Sequence, residues 1–136
     1  KQTQSKEKYL NEIINISSDA IFTIDKDYRI SDFNKYFAER LKVMGVNVKK
    51  GLDILSLFDG KERELRKRDY QRAFKGERVE HTDISIINGR EMHLSSCYSP
   101  LKGEDGEIVA VAGITRDLTA IMENAKRTEE LVLEEK

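Results

Sequence analysis

Cys97 paired with His81 or His93 has the residue types of a nucleophile and its base. A thiol attacks as the thiolate, and a neighbouring imidazole favours that form. Cys97 lies mid-way along an alternating, strand-like run, so we expect a buried or half-buried structural thiol and no catalysis. His81, Asp83 and His93 form the second set. A hairpin of 78–87 with 90–99 that sets Asp83 opposite His93 brings all three to one sheet face. That spacing matches no metal-ligand pattern. A pH-sensitive His–Asp pair on a solvated face suits it better, because histidine as a residue type titrates near neutrality. The chain has no glycine-rich phosphate loop, no Gly-x-Ser-x-Gly elbow and no His-Glu-x-x-His. The sequence therefore leads us to expect neither an enzymatic reaction nor a metal in this segment.

The run 61–78, KERELRKRDYQRAFKGER, carries eight basic and four acidic residues. A nucleic-acid patch needs a field of one sign. Here the acids are interleaved, so the run reads as the solvated face of a helix with mixed-sign pairs. Its aromatics, Tyr70 and Phe74, belong to a core-facing stripe. The whole chain has a formal net charge of -1, which draws neither nucleic acid nor anionic membrane. No apolar run reaches the ~18 residues that span a bilayer, so no membrane contact is expected. Of 136 residues, 38% are hydrophobic and 36% charged, enough for one core beneath a charged surface. One cysteine excludes an internal disulfide and fits a reducing, cytoplasmic compartment. A start without Met, and an end within a helical pattern at Lys136, suggest a piece of a longer protein.

The elements that must position these residues follow from periodicity. Residues 5–16 place Tyr9, Leu10, Ile13, Ile14 and Ile16 on one side of a helix. AIFTID (20–25) and YRISDF (28–33) read as a hairpin. Asn34 is placed to cap the helix KYFAERLKVM, which Gly45 breaks. Asp59 is placed to cap a helix over 60–75, in which Leu65, Tyr70, Ala73 and Phe74 are the apolar positions, and Gly76 ends it. Three strands follow over 78–87, 90–99 and 107–116, separated by NG and EDG turns. A final helix begins near Thr119. Strands joined by hairpin turns, with helices gathered in the middle, imply an α+β fold with an antiparallel sheet.

The NG turn poses a register question. A two-residue Asn88-Gly89 turn pairs Ile84 with His93 and sets the apolar residues of the two strands on opposite faces. A three-residue Ile87-Asn88-Gly89 loop pairs Ile84 with Met92 and Thr82 with Leu94. Because mismatched faces are costly, the three-residue loop is expected. The last strand is apolar on both sides (Val109, Val111 and Gly113; Ile108, Ala110, Ala112 and Ile114). The middle helices would cover one side, and the first helix or a second subunit the other.

SSDAIFTIDKDYRISDFN, GLDILSLF, and SPLKGEDGEIVAVAGITRDLT ending in Asp117-Leu118-Thr119, resemble in this order and spacing the PAS domain of sensory signalling proteins. The resemblance covers about residues 8–119. It departs at Asp27, where the family often has glycine, a minor change because Asp tolerates turns. It implies a five-stranded antiparallel sheet cupping a small pocket, with signalling helices before and after. The division expected is an N-terminal helix over 1–17, a sensor domain over 18–118 and the start of a signalling helix over 119–136. Flavin-binding members carry a reactive cysteine in the middle helices, and haem-binding members a histidine in the helix corresponding to 60–75. This chain has neither, so no flavin or haem is expected, and an unknown small molecule is left open.

The inward set of such a cup is Phe22, Ile24, Phe37, Leu41, Leu57, Tyr70, Phe74, Ile84, Leu94, Ser96, Tyr98, Val111, Gly113 and Thr115. Apolar walls with a few hydroxyls describe a small-molecule site and equally a filled core. Gly113 beside Ser96 and Thr115 is the hint of space. Leu118, Ile121, Ala125, Thr128, Val132 and Glu135 follow a 3-4 spacing, either a weak coiled-coil seam or a helix folding back on its own domain. Thr119 is the expected cap of that helix. Asp117 is placed near the same N–H groups or a basic neighbour. Tyr9, Leu10, Ile13, Ile14 and Ile121 are the candidate dimer contacts. The expected role is a cytoplasmic sensory module, acting as a homodimer. It senses a ligand, or relays a signal, to an effector in the same chain, such as a histidine kinase. The alternative is a ligand-free assembly module.

Overall fold

The structure, a computed structural model, describes residues 19–87 and 89–134. The helix read over 1–17, with Tyr9, Leu10, Ile13 and Ile14, lies outside the described residues. Along the chain come β1 (Ala20–Ile24), β2 (Ile30–Phe33), α1 (Lys35–Val43), a 3-10 turn (Ile54–Leu57), α2 (Gly60–Phe74), β3 (Val79–Ile87), β4 (Arg90–Lys102), β5 (Ile108–Asp117) and α3 (Thr119–Glu134). The strands form one antiparallel sheet in the order β2-β1-β5-β4-β3. The α+β architecture is therefore the one read from the sequence.

The inner face is built from alternate strand residues. Ala20, Phe22 and Ile24 of β1 lie opposite Thr115, Gly113 and Val111 of β5. Ile24, Ile30, Ile54, Tyr70 and Val111 are at most 2% exposed. Each such side chain contributes roughly 1.5–3 kcal/mol by leaving water. α1 adds Phe37 and Leu41, and α2 adds Tyr70 and Ala73. Leu65 departs from the expected stripe and stays 55% exposed.

Asn34 caps α1 as expected, accepting from the Phe37 N–H at 3.0 Å. It also accepts from the Ile21 N–H at 3.0 Å, so the buried cap ties helix to sheet. Asp59 holds the cap position of α2, but its side chain makes no capping bond. In the first hairpin the left-handed residue is Tyr28 (φ 61°), not Asp27. That conformation is strained for a bulky residue. The Tyr28 ring packs on Phe74 and Tyr70 at 5.9 and 6.4 Å, and this contact holds it there.

The β3–β4 register corrects the sequence reading. Ile87 pairs with Arg90, so the connection has two residues, with Gly89 at φ 76°. Ile84 lies opposite His93, Thr82 opposite Ser95 and Asp83 opposite Leu94. Ile84 therefore leaves the cup for the outer face, where it is 59% exposed beside Ile86 at 72%. The face mismatch is tolerated for two reasons. On the inner side, α2 supplies a cation for the polar residues of β3. On the outer side, Ile114 of β5 is also apolar and exposed, so the Ile84 side is not purely polar. The Asn-Gly pair also favours the two-residue turn locally.

Candidate functional site

Sheet, α1 and α2 enclose a cleft of about 290 Å³. It is lined by Phe22, Phe37, Leu41, Leu57, Tyr70, Leu94, Ser96, Tyr98 and Thr115 of the set read from the sequence. Ile24 and Val111 are fully buried in the packed core instead. Phe74 faces a separate open hollow with Tyr28 and Lys26. Gly113 does not open space. A Cβ there would meet the Phe22 ring at 2.3–2.9 Å, so the glycine leaves room for the far end of that ring. Phe22 in turn packs on Phe37 and Tyr98 at centroid distances of 5.1 and 6.4 Å. Ser96 and Thr115 hydroxyls bond each other at 3.0 Å, which satisfies them inside an apolar wall.

Sequence reasoning missed the cleft's charged residues, Arg40, Glu62 and Arg66. Arg66 was hidden within a basic run of ordinary appearance. It turns inward because β3 offers polar partners: its Nη2 donates to Asp83 Oδ2 at 2.8 Å and its Nη1 to Tyr98 Oη at 3.4 Å. Nη1 also donates to His81 Nε2. A guanidinium has donors only, so Nε2 accepts and the ring proton sits on Nδ1. Nδ1 is buried and lies 3.2 Å from Asp69 Oδ2, off the line of a hydrogen bond. His93 is on the opposite sheet face, near Glu91 at 3.4 Å. The expected His81–Asp83–His93 face therefore splits. Burial, with Tyr98 alongside, pushes the Tyr70 phenol well above its ordinary range. Burial likewise raises Tyr98, against the pull of Arg66. Cys97 sits on the outer face, 3.7 Å from Ser99 Oγ. Among the described residues no group of three or more His, Cys, Asp or Glu is arranged to hold a metal.

The joint to α3 is built from Asp117 and Thr119, and the role of Thr119 differs from the expected one. Thr119 does not cap with its own oxygen. Its hydroxyl accepts from the His93 N–H of β4 at 3.0 Å and donates to Asp117 Oδ1 at 2.5 Å. Asp117 Oδ1 accepts from the Thr119 N–H at 2.9 Å, so the carboxylate serves the helix start. Leu118 N–H adds a 2.7 Å bond to the His93 carbonyl. Thr119 is 2% exposed, whereas residues 120–131 are all exposed. Among the described residues, α3 leaves the domain and does not fold back on it.

Burial works against the Asp117 charge, but the Thr119 hydroxyl and N–H, with Arg40, outweigh it and hold its pKa below the usual carboxylate range. A depressed carboxylate stabilises the fold above the unfolded pKa, and this contribution is lost as pH falls through the lower folded value. Below about pH 4, the Thr119 amide is expected to lose hydrogen-exchange protection earlier than β5. Asp117→Asn should remove that acid-side step.

A family model described as PAS fold matches residues 14–121. No curated protein matches the sequence. Among solved structures, the phage VqmA–DPO complex is similar at 18% identity and TM-score 0.68, over 97% of this chain. The chain spans 60% of that neighbour's length. The PAS domain of BvgS from Bordetella pertussis is similar at 16% identity and TM-score 0.61, covering 95% of this chain and 97% of that one. A sensory box sensor histidine kinase from Vibrio cholerae is similar at 23% identity and TM-score 0.54, covering 85% and 92%. Among the described residues no helix is long and apolar enough to cross a membrane.

Proposed function

This chain belongs to the PAS fold family, whose domains are sensory signalling modules, and from that we infer a module that senses a small molecule in its cleft and passes the change to α3. The observation that carries this reading is the clasp at Thr119. One buried hydroxyl joins β4, the Asp117 carboxylate and the first residue of a helix exposed over residues 120–131. A shift between β4 and β5 therefore changes the bonds that set the helix direction. A bistable helix pair amplifies such sub-ångström shifts. In this reading α3 pairs with its twin through Ile121, 64% exposed, and leads to an effector such as a histidine kinase in the same chain. The lone Cys97 supports work in the reducing cytoplasm. The lack of a cysteine before Cys97, and of a histidine in α2, supports a ligand other than flavin or haem.

Native mass spectrometry of the purified chain tests the reading. A bound small molecule is expected, released on unfolding and absent from Ser96→Leu/Thr115→Leu, whose added methylenes fill the cleft. The double variant is expected to keep the oligomeric state of the parent. A chain that carries nothing, and takes up nothing from a cell extract, would sink the ligand reading.

The assembly-only alternative is favoured by one feature, the exposed Ile84, Ile86 and Ile114 side of the sheet. Ile84→Asp is expected to dissociate a dimer that uses this face, measured by sedimentation. In a ligand-free assembly module with a filled core, the same pair is expected to lower stability by ~1–3 kcal/mol and leave assembly unchanged.

A further inference from the structure

The cleft's polar groups differ in how well their bonding capacity is met. Ser96 and Thr115 bond each other. Arg66 is held by Asp83 at 2.8 Å and Glu62 at 3.7 Å. Arg40 stands apart. Among the described residues its one ion pair is a 3.7 Å approach of Nη1 to Asp117 Oδ2, and its guanidinium lies 5.9 Å from the Tyr36 ring centroid. Five N–H donors with one long partner leave capacity for another acceptor. The Arg40 side chain is 30% exposed and borders a cleft whose other charged lining residues, Glu62 and Arg66, are paired with each other. At about 290 Å³ the cleft holds the volume of roughly ten waters, which limits a ligand to about as many non-hydrogen atoms.

Resting on the ligand-sensing reading above, we propose that the cleft takes a small organic carboxylate, with an aliphatic or aromatic body inside and its carboxylate on Arg40. The same guanidinium holds Asp117 Oδ2, while Asp117 Oδ1 serves Thr119. A ligand carboxylate and Asp117 therefore compete for one cation. Binding loosens Asp117 from α1 and changes the charge balance at the start of α3. No contact over a longer path is required, because Arg40 itself borders the cleft and reaches the joint. By linkage, whatever weakens the hold of Asp117 on Arg40 while leaving that guanidinium in place strengthens ligand binding.

The test is an NMR titration of the full ¹⁵N-labelled chain with hexanoate and benzoate, each against its amide, hexanamide and benzamide. Carboxylates are expected to bind at least tenfold tighter than the matched amides, shifting the amides of Phe22, Ser96 and Thr119. Arg40→Gln is expected to erase that preference and Arg40→Lys to keep most of it. Asp117→Asn is expected to tighten carboxylate binding several-fold by removing the competitor. Equal binding of acid and amide, a preference that survives Arg40→Gln, or weaker binding by Asp117→Asn would overturn the proposal. If the amides bind in the cleft, the ligand reading stands without the acid. If no probe shifts Phe22 or Ser96, small-molecule sensing in this cleft fails along with it.

Discussion

Gly113→Ala is expected to lower the unfolding free energy by about 2–3 kcal/mol in urea denaturation, a large effect for one methyl group. The new Cβ falls 2.3 Å from Phe22 Cζ, well inside contact distance. Strand backbone cannot retreat, because Gly113 pairs with Phe22 on one side and Tyr98 on the other. The ring is the part that must move. Phe37 and Tyr98 flank it, so the direction left is into the cleft that Phe22 lines. The variant is therefore expected to lose stability and cleft volume together. Phe22→Leu in the Gly113→Ala background should recover at least half of the loss, because the shorter side chain clears the Cβ. A double-mutant cycle reads that coupling directly. A Gly113→Ala variant as stable as the parent would mean that the ring does not lie on this glycine.

Arg66→Leu is the second large effect, with an expected loss of about 2 kcal/mol. Fully buried pairs lose more when one partner is removed. Here Arg66 is 12% exposed and Asp83 32%, so water compensates part of the change. Removal leaves Asp83 and the Tyr98 hydroxyl without the Arg66 N–H donors. The Leu side chain cannot replace those bonds, and an abandoned polar group is more costly than a missing pair. Arg66→Leu/Asp83→Leu is expected to be more stable than Arg66→Leu alone, since it removes the orphaned carboxylate as well. Urea midpoints of the three chains settle the order. If the double variant is the least stable, the pair acts through packing and not through charge.

Both effects belong to residues whose roles depend on neighbours distant in sequence, and this separates the legible from the illegible. Element order, the Asn34 cap and the positions of the turns depend on contacts within a few residues or on hydrophobic period, so they could be read along the chain. The face of β3 could not. Apolar alternation placed Ile84 inward, yet the inner side of β3 carries His81 and Asp83 because Arg66, 15 and 17 residues earlier, meets them there. Alternation counts apolar residues and cannot count a cation arriving from a helix.

The cleft shows the same division. Nine of its wall residues were legible as inward strand and helix positions, while Arg40, Glu62 and Arg66 looked like surface charge. Gly113 was read as space and is occupied by a ring, because an absent side chain does not say what fills its place. By itself the sequence determined the five strands, the helices between them and the point where the last strand becomes a helix, since local hydrogen bonding and period set these. Tertiary structure alone decided the β3 register, which arginines enter the cleft and the ion pair of Arg40 with Asp117. Those are set by where long, charged side chains find partners across the fold, and their reach exceeds any sequence window.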